Sequence, residues 1–257
     1  GFMKSYENAI ARISEEATAP DIRDNPGISV KLSALHPRYE EAQRERVMAE
    51  LVPRLTKLAR AAKAGNMGLN VDAEEADRLD LSLDIIEAVL SDESLKGWDG
   101  FGVVVQAFGR RVGGVIDWLY ALSEKLDRKI MVRLVKGAYW DTEIKLAQEM
   151  GTHTFPVFTR KVNTDLSYMA CAQMLLDRRD RIYPQFATHN AHTCAAILKM
   201  AGNDRDSFEF QRLHGMGESL HDIVHRQNDT RCRIYAPVGA HRDLLAYLVR
   251  RLLENGA

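Results

Sequence analysis

Short apolar or β-branched runs recur along the chain, each followed by a polar loop and then by a segment that is apolar on one side. That alternation marks parallel βα units, in which a buried strand and an amphipathic helix take turns. Eight runs predict strands: SVKLSAL from Ser29, LNVDAE from Leu69, FGVVVQAF from Phe101, IMVRLVKGA from Ile130, PVFTRK from Pro156, YPQFATH from Tyr183, FEFQRLHGM from Phe208 and CRIYAPVG from Cys232. PVFTRK suits two readings, because Thr-Arg-Lys also fits a binding loop. Helices are predicted over 39–64, 74–90, 111–126, 142–150, 164–176, 191–200, 219–226 and 242–253; the first two carry apolar residues at three- and four-residue spacing. Eight such units predict an α/β fold of the (β/α)8 barrel type. No Pro/Ser-rich linker interrupts the pattern, so residues 1–257 read as one domain.

A strand buried on both faces should read as continuous Val, Ile and Leu. Most of these strands instead place a polar side chain near their C-terminal end: Lys31, Asp72, Gln106, Arg133, Lys136, His189, Gln211 and Tyr235. In a parallel barrel those ends share one rim, where barrel enzymes keep their chemistry. Any one of them could be a paired core group, but eight converging positions favour a site. The last predicted helix gathers Leu244, Leu245, Leu248, Val249, Leu252 and Leu253 on one face and Tyr247, Arg250, Arg251 and Glu254 on the other. That polar face is either a solvated surface with Arg–Glu pairs or a clamp whose adjacent guanidinium groups grip one small carboxylate.

Charge narrows the classes of partner. The 35 Lys and Arg nearly cancel the 36 Asp and Glu, which leaves no concentrated positive stripe for nucleic acid. Three scattered cysteines suit a reducing compartment, and neither a membrane span nor a secretion leader is legible. His189 and His192 of HNAH lack a clustered carboxylate to complete a metal site, and GMGES from Gly215 lacks the remaining glycine of a dinucleotide fingerprint. Trp98 and Trp118 read as packing residues, whereas Trp140 directly follows a candidate active-site strand.

The segments SVKLSALHPRY, DAEEADRL, VVVQAF, RLVKGAYWD, FPVFTRK, YPQFATHNAHT, FEFQRLHGMGE, CRIYAPVG and LLAYLVRRLLENGA together resemble the proline dehydrogenase domain of the bifunctional proline utilization A flavoproteins, in order and over nearly the whole chain. The resemblance implies a distorted (β/α)8 barrel that binds FAD noncovalently and oxidises L-proline to Δ1-pyrroline-5-carboxylate. It implies that Lys31, Arg250 and Arg251 hold the proline carboxylate, that Asp72 interacts with Lys31, and that Tyr235 packs on the substrate ring beside Leu213. Arg133 would lie near the reactive flavin nitrogen. Further cofactor contacts are implied for Ala73, Gln106, Val135, Lys136, Gly137, Ala138, Trp140, Thr159, Lys161, Thr188, His189, Asn190 and Glu254. A quinone electron acceptor, a cytoplasmic location peripheral to the inner membrane and an aldehyde dehydrogenase partner domain are implied for the full-length protein.

The match breaks at one junction. The family reads a further Ser-Tyr-Asp-Met-Leu-Gly-Glu segment and a helix after Gly-Phe, whereas this sequence passes directly from Phe2 to Met3. The resemblance then implies a barrel lacking its first strand in this chain, with PVFTRK a cofactor-binding segment. The family also continues past the ENGA at which this sequence stops. Two other readings stand beside the flavoenzyme: a Schiff-base barrel aldolase using Lys31 or Lys136, and a trimmed scaffold without catalysis.

Overall fold

The computed structural model describes residues 1–237 and Arg251, the latter helical and half-buried. Strands β1 (Gly27–Val30), β2 (Gly68–Val71), β3 (Phe101–Gln106), β4 (Ile130–Val135), β5 (Ile182–Ala187), β6 (Glu209–Leu213) and β7 (Arg231–Tyr235) alternate with helices. The helices are α1 (Phe2–Ser14), the single turn α2 (Leu32–Leu35), α3 (Arg44–Ala64), α4 (Leu79–Leu90), α5 (Val112–Leu126), α6 (Trp140–Glu149), α7 (Lys161–Leu176), α8 (Ala191–Ala201) and α9 (Glu218–Asn228). The strands follow one another in sequence order in a single parallel sheet, the arrangement of a distorted (β/α)8 barrel with seven strands among the described residues.

Two of the predicted elements are corrected. PVFTRK makes only an isolated antiparallel bridge between Val157 and Gly109. Its chain is bound to the loop after β3, with Arg110 N–H donating to Pro156 O at 3.0 Å and Phe158 N–H to Phe108 O at 2.8 Å. That ties it to a loop instead of a ladder. SVKLSAL stops being strand at Val30, because from Lys31 onward the backbone turns into α2 and His36 N–H donates to Leu32 O. The predicted helix 242–253 lies outside the described residues except for Arg251.

By contacts the chain forms two compact units, each with its own core. The first comprises Gly1–Val105, Gly114–Val132 and Asp180–Ile182. There α3 buries Val47, Leu51, Leu55, Leu58 and Ala62, all fully inaccessible, at the three- and four-residue spacing that turns one helix stripe inward. β2 lies in register with β1 and β3, pairing Val30 with Val71 and Val71 with Val103. Trp98 and Trp118 are a buried and a half-buried packing residue here; the Trp98 ring sits edge-on to Phe101 at 6.2 Å.

The second unit comprises Gln106–Gly113, Arg133–Arg179 and Tyr183–Ala257. β6 pairs with β5 through Phe186 opposite Phe210 and with β7 through Leu213 opposite Tyr235. Alternation along β5 and β6 divides the two faces. Phe186, Phe208 and Phe210 cluster on one face at centroid distances of 5.7 to 6.4 Å, with the His221 ring of α9 beside Phe210. The residues between them, Gln185, Glu209 and Gln211, face the other way.

Candidate functional site

In the second unit, one face of the strands carries polar groups where a scaffold would carry aliphatic ones. Arg133 of β4 is only 8% exposed. Its Nε donates to Gln211 Oε1 at 2.6 Å, and its guanidinium carbon lies 5.0 Å from the centre of the Tyr235 ring. A cation over an aromatic face gains from the ring quadrupole, and more so when water is scarce. Gln211 in turn donates through Nε2 to Glu209 Oε2 at 3.1 Å. Arg233 reaches the same carboxylate by two bonds, Nε to Oε2 at 2.8 Å and Nη2 to Oε1 at 3.1 Å.

The loops after β3 and β4 form a cradle. Gly137 has φ +139°, and a Cβ there would meet the Phe108 ring at 2.5 Å. Only glycine fits a backbone that is both in that conformation and that close to a buried ring. Ala138 N–H donates to Gln106 Oε1 at 3.2 Å, fixing the turn to the end of β3. Lys136 pairs with Asp165 at 2.8 Å. Tyr139, left-handed at φ 65°, precedes α6 without a side-chain cap, and the first turn of that helix carries Asp141 and Glu143. Trp140 donates from its indole to Phe158 O at 2.8 Å and stays 40% exposed. Thr159 and Lys161, at the start of α7, are exposed.

The loop after β5 is held from two sides. His189 Nε2 accepts from Leu213 N–H at 3.0 Å, so the neutral ring carries its proton on Nδ1. Thr188 is buried; its Oγ accepts from Asn190 N–H at 3.1 Å, and its carbonyl receives His221 Nε2 at 2.8 Å. Asn190 caps α8. Gly217 of GMGES, at φ +66°, closes on the His189 ring, where a Cβ would sit 2.8 Å from it.

In the first unit Lys31 and Asp72 immediately follow the paired residues Val30 and Val71, and Asp72 N–H donates to Val30 O at 2.9 Å. They thus sit side by side at two strand ends, with Ala73 next to them. Lys31 N–H donates to the Tyr6 hydroxyl at 3.1 Å. Burial raises the Tyr6 phenol above its ordinary value, with the nearby Asp72 and Glu74 carboxylates adding to the rise. Lys31 is exposed and Lys136 is ion-paired, so neither has the apolar burial that imine chemistry needs. Arg250 and Glu254 lie outside the described residues.

These rim positions can be set beside known proteins. The family model for proline dehydrogenase matches residues 1–257. The chain belongs to the proline dehydrogenase family. The bifunctional protein PutA of Klebsiella aerogenes is 55% identical to this proline dehydrogenase family member over 263 residues, covering 100% of this chain and 20% of that protein. PutA of Rhizobium meliloti is 57% identical over 261 residues, again covering 100% of this chain and 21% of that protein. A Bradyrhizobium japonicum proline utilization A variant matches in structure with TM-score 0.95 at 61% identity, covering 100% of this chain and 26% of that one. Proline utilization A from Bdellovibrio bacteriovorus, described as inactivated by N-propargylglycine, matches with TM-score 0.91 at 31% identity, covering 100% of this chain and 28% of that one. The chain spans about a fifth of the length of the curated relatives it matches. Among the described residues no helix of this family member is long and apolar enough to cross a membrane.

Sequence reasoning missed the partners that hold the rim in place. Glu209, Gln185 and Arg233 brace Gln211; Phe108 forces the glycine of KGAYW; Asp165 answers Lys136; His221 holds Thr188. One signal was available, since Glu209 and Gln211 stand two apart and so share a strand face.

Proposed function

We propose that this chain is the proline-oxidising domain, residues 1–257, of a longer bifunctional protein, and that it converts L-proline to Δ1-pyrroline-5-carboxylate. The observation that carries the proposal is Arg133, a buried guanidinium fixed by Gln211 over Tyr235 at a strand end. The residues present fit FAD. Gly137 leaves backbone bare where a side chain cannot stand, just ahead of the start of α6. Lys136 and Lys161 supply cations for a pyrophosphate; Val135, Ala138, Trp140 and Thr159 belong to the loops tied together there, and Thr188, His189 and Asn190 follow the neighbouring strand β5. Gln106, anchoring Ala138, sits at the same end. When bound, FAD would supply the acceptor for the hydride that leaves the substrate carbon.

The chain's own residues do the rest. Arg133 places a fixed positive charge where negative charge arrives, with no reorganisation during the reaction. Tyr235 and Leu213, paired across β6 and β7, offer an apolar wall for a five-membered ring. Arg251, with Arg250, donates paired hydrogen bonds to the carboxylate. Lys31 is a further carboxylate donor and Asp72 its neighbour, while Ala73 and Glu254 complete the cofactor contacts. A quinone takes the electrons onward, and an aldehyde dehydrogenase half consumes the product.

The test is the visible spectrum of purified protein, followed by anaerobic L-proline. Flavin bands that bleach on addition are expected. A protein that takes up no FAD on reconstitution, or holds FAD that proline leaves oxidised, would overturn the reading and return the trimmed scaffold to the front. Borohydride trapping with a keto acid is expected to label neither Lys31 nor Lys136.

A further inference from the structure

We infer that Glu209 is a positioning residue for Arg133, acting through the side-chain amide of Gln211. The inference rests on the role proposed above for Arg133, and its geometry is independent of that role. Glu209 is 1% exposed and Gln211 is 2% exposed, so neither can turn to water for a partner. The carboxylate receives Gln211 Nε2 at 3.1 Å, Gln185 Nε2 at 3.4 Å and the two bonds from Arg233 at 2.8 and 3.1 Å.

The consequence lies in the polarity of one amide. Gln211 has a donor end and an acceptor end, and a flip by half a turn exchanges them. Its two neighbours impose the same choice. The Glu209 carboxylate can only accept, which draws the NH2 group towards it; the Arg133 Nε–H can only donate, which needs the carbonyl oxygen. Removing the negative charge at 209 removes the first constraint. The amide can then turn its NH2 towards Arg133, setting donor against donor in a site from which water is excluded.

Arg233 is what makes the carboxylate a fixed reference. Its side-on double contact to Glu209 immobilises both oxygens, so the orientation passed to Gln211 is rigid. The line Arg233, Glu209, Gln211, Arg133 thus runs across β7, β6 and β4 and ends at the guanidinium lying over Tyr235. A merely structural ion pair between Glu209 and Arg233 would stabilise these strands without transmitting anything through Gln211.

The experiment separates the two. In the flavin-free protein, the arginine Nε–H resonance that disappears in Arg133→Lys is assigned to Arg133. Glu209→Gln and Gln211→Met are each expected to shift that resonance and to speed its exchange with water about tenfold or more, since each leaves the donor without its fixed acceptor. With FAD bound, Glu209→Gln is expected to lower kcat for proline about tenfold while KM moves less than about threefold, and to have no further effect in a Gln211→Met background. Glu209→Asp, which keeps the charge, should recover part of the loss and serves if the glutamine variant fails to fold. An Arg133 resonance unmoved by Glu209→Gln overturns the inference, as does an equal loss of kcat with and without Gln211. A wild-type protein that holds FAD but leaves proline untouched overturns the proposed function alone, because the resonance still decides the positioning role.

Discussion

Replacing Gly137 by alanine tests the cradle proposed for the cofactor. The new Cβ would meet three ring carbons of Phe108 at 2.5 to 2.6 Å, well inside contact distance, and Phe108 is itself only 5% exposed. The backbone adds a second cost, since at φ +139° an L side chain is strained whatever the space. Holding a residue in such a region costs about 1–3 kcal/mol. Pushing a buried ring aside costs about as much again, roughly 1–3 kcal/mol. A combined loss of about 4 kcal/mol corresponds to a fall in melting temperature of about 8–16 °C for a chain of this size. The assay is thermal unfolding of the flavin-free protein together with the flavin-to-protein ratio after reconstitution. Gly137→Ala is expected to unfold earlier and to hold FAD poorly, and Phe108→Ala in the same chain should relieve the overlap but not the backbone strain. Wild-type melting and flavin content in Gly137→Ala would refute the reasoning.

Three other outcomes follow from the same geometry. Arg133→Met should keep flavin bound yet slow its reduction by proline about a hundredfold, read by anaerobic stopped-flow, because the fixed charge proposed for the reacting centre is lost; a change under threefold would dismiss that charge. Arg251→Ala should raise KM for proline about tenfold or more with flavin occupancy unchanged, and equal loss of both would mark it as a cofactor or structural residue. His221 is held below its ordinary pKa by burial, opposed by the Thr188 carbonyl and assisted by Arg212. Its native form therefore resists protonation while the unfolded form titrates near pH 6.5, so its contribution is full above that value and is lost as pH falls below it. Melting temperature should accordingly fall between about pH 8 and pH 5.5 less steeply in His221→Gln than in wild type, and parallel slopes would sink the assignment.

The sequence shows its rim because a charge inside an apolar run has few reasons to be there. Lys31, Asp72, Gln106, Arg133, Lys136 and Tyr235 all stand at or near strand ends, where local pattern places them. Long-range partners leave no such trace: the Arg133 to Gln211 bond spans 78 positions, and no local pattern pairs Lys136 with Asp165 or Thr188 with His221. Two local errors have physical causes. SVKLSAL keeps strand-like alternation after the backbone has turned, because Leu32 and Leu35 are buried by a helical turn instead of by a ladder. Helix α1 is absent from the predicted elements although Met3, Tyr6, Ile10 and Ile13 recur at helical spacing; only Ile10 of that helix is buried, so the stripe is faint.

The distance along the chain between Arg133 and its supports also orders events in time. The Arg133 guanidinium is synthesised 78 residues before its acceptor, Gln211, and the Tyr235 ring comes later still. Pairing so remote in sequence closes late in folding, since loop entropy must be overcome first. On the role proposed for it, Arg133 is therefore aimed only after β6 and β7 have docked, and a nascent chain that met the proposed cofactor earlier would hold it before that charge was in place.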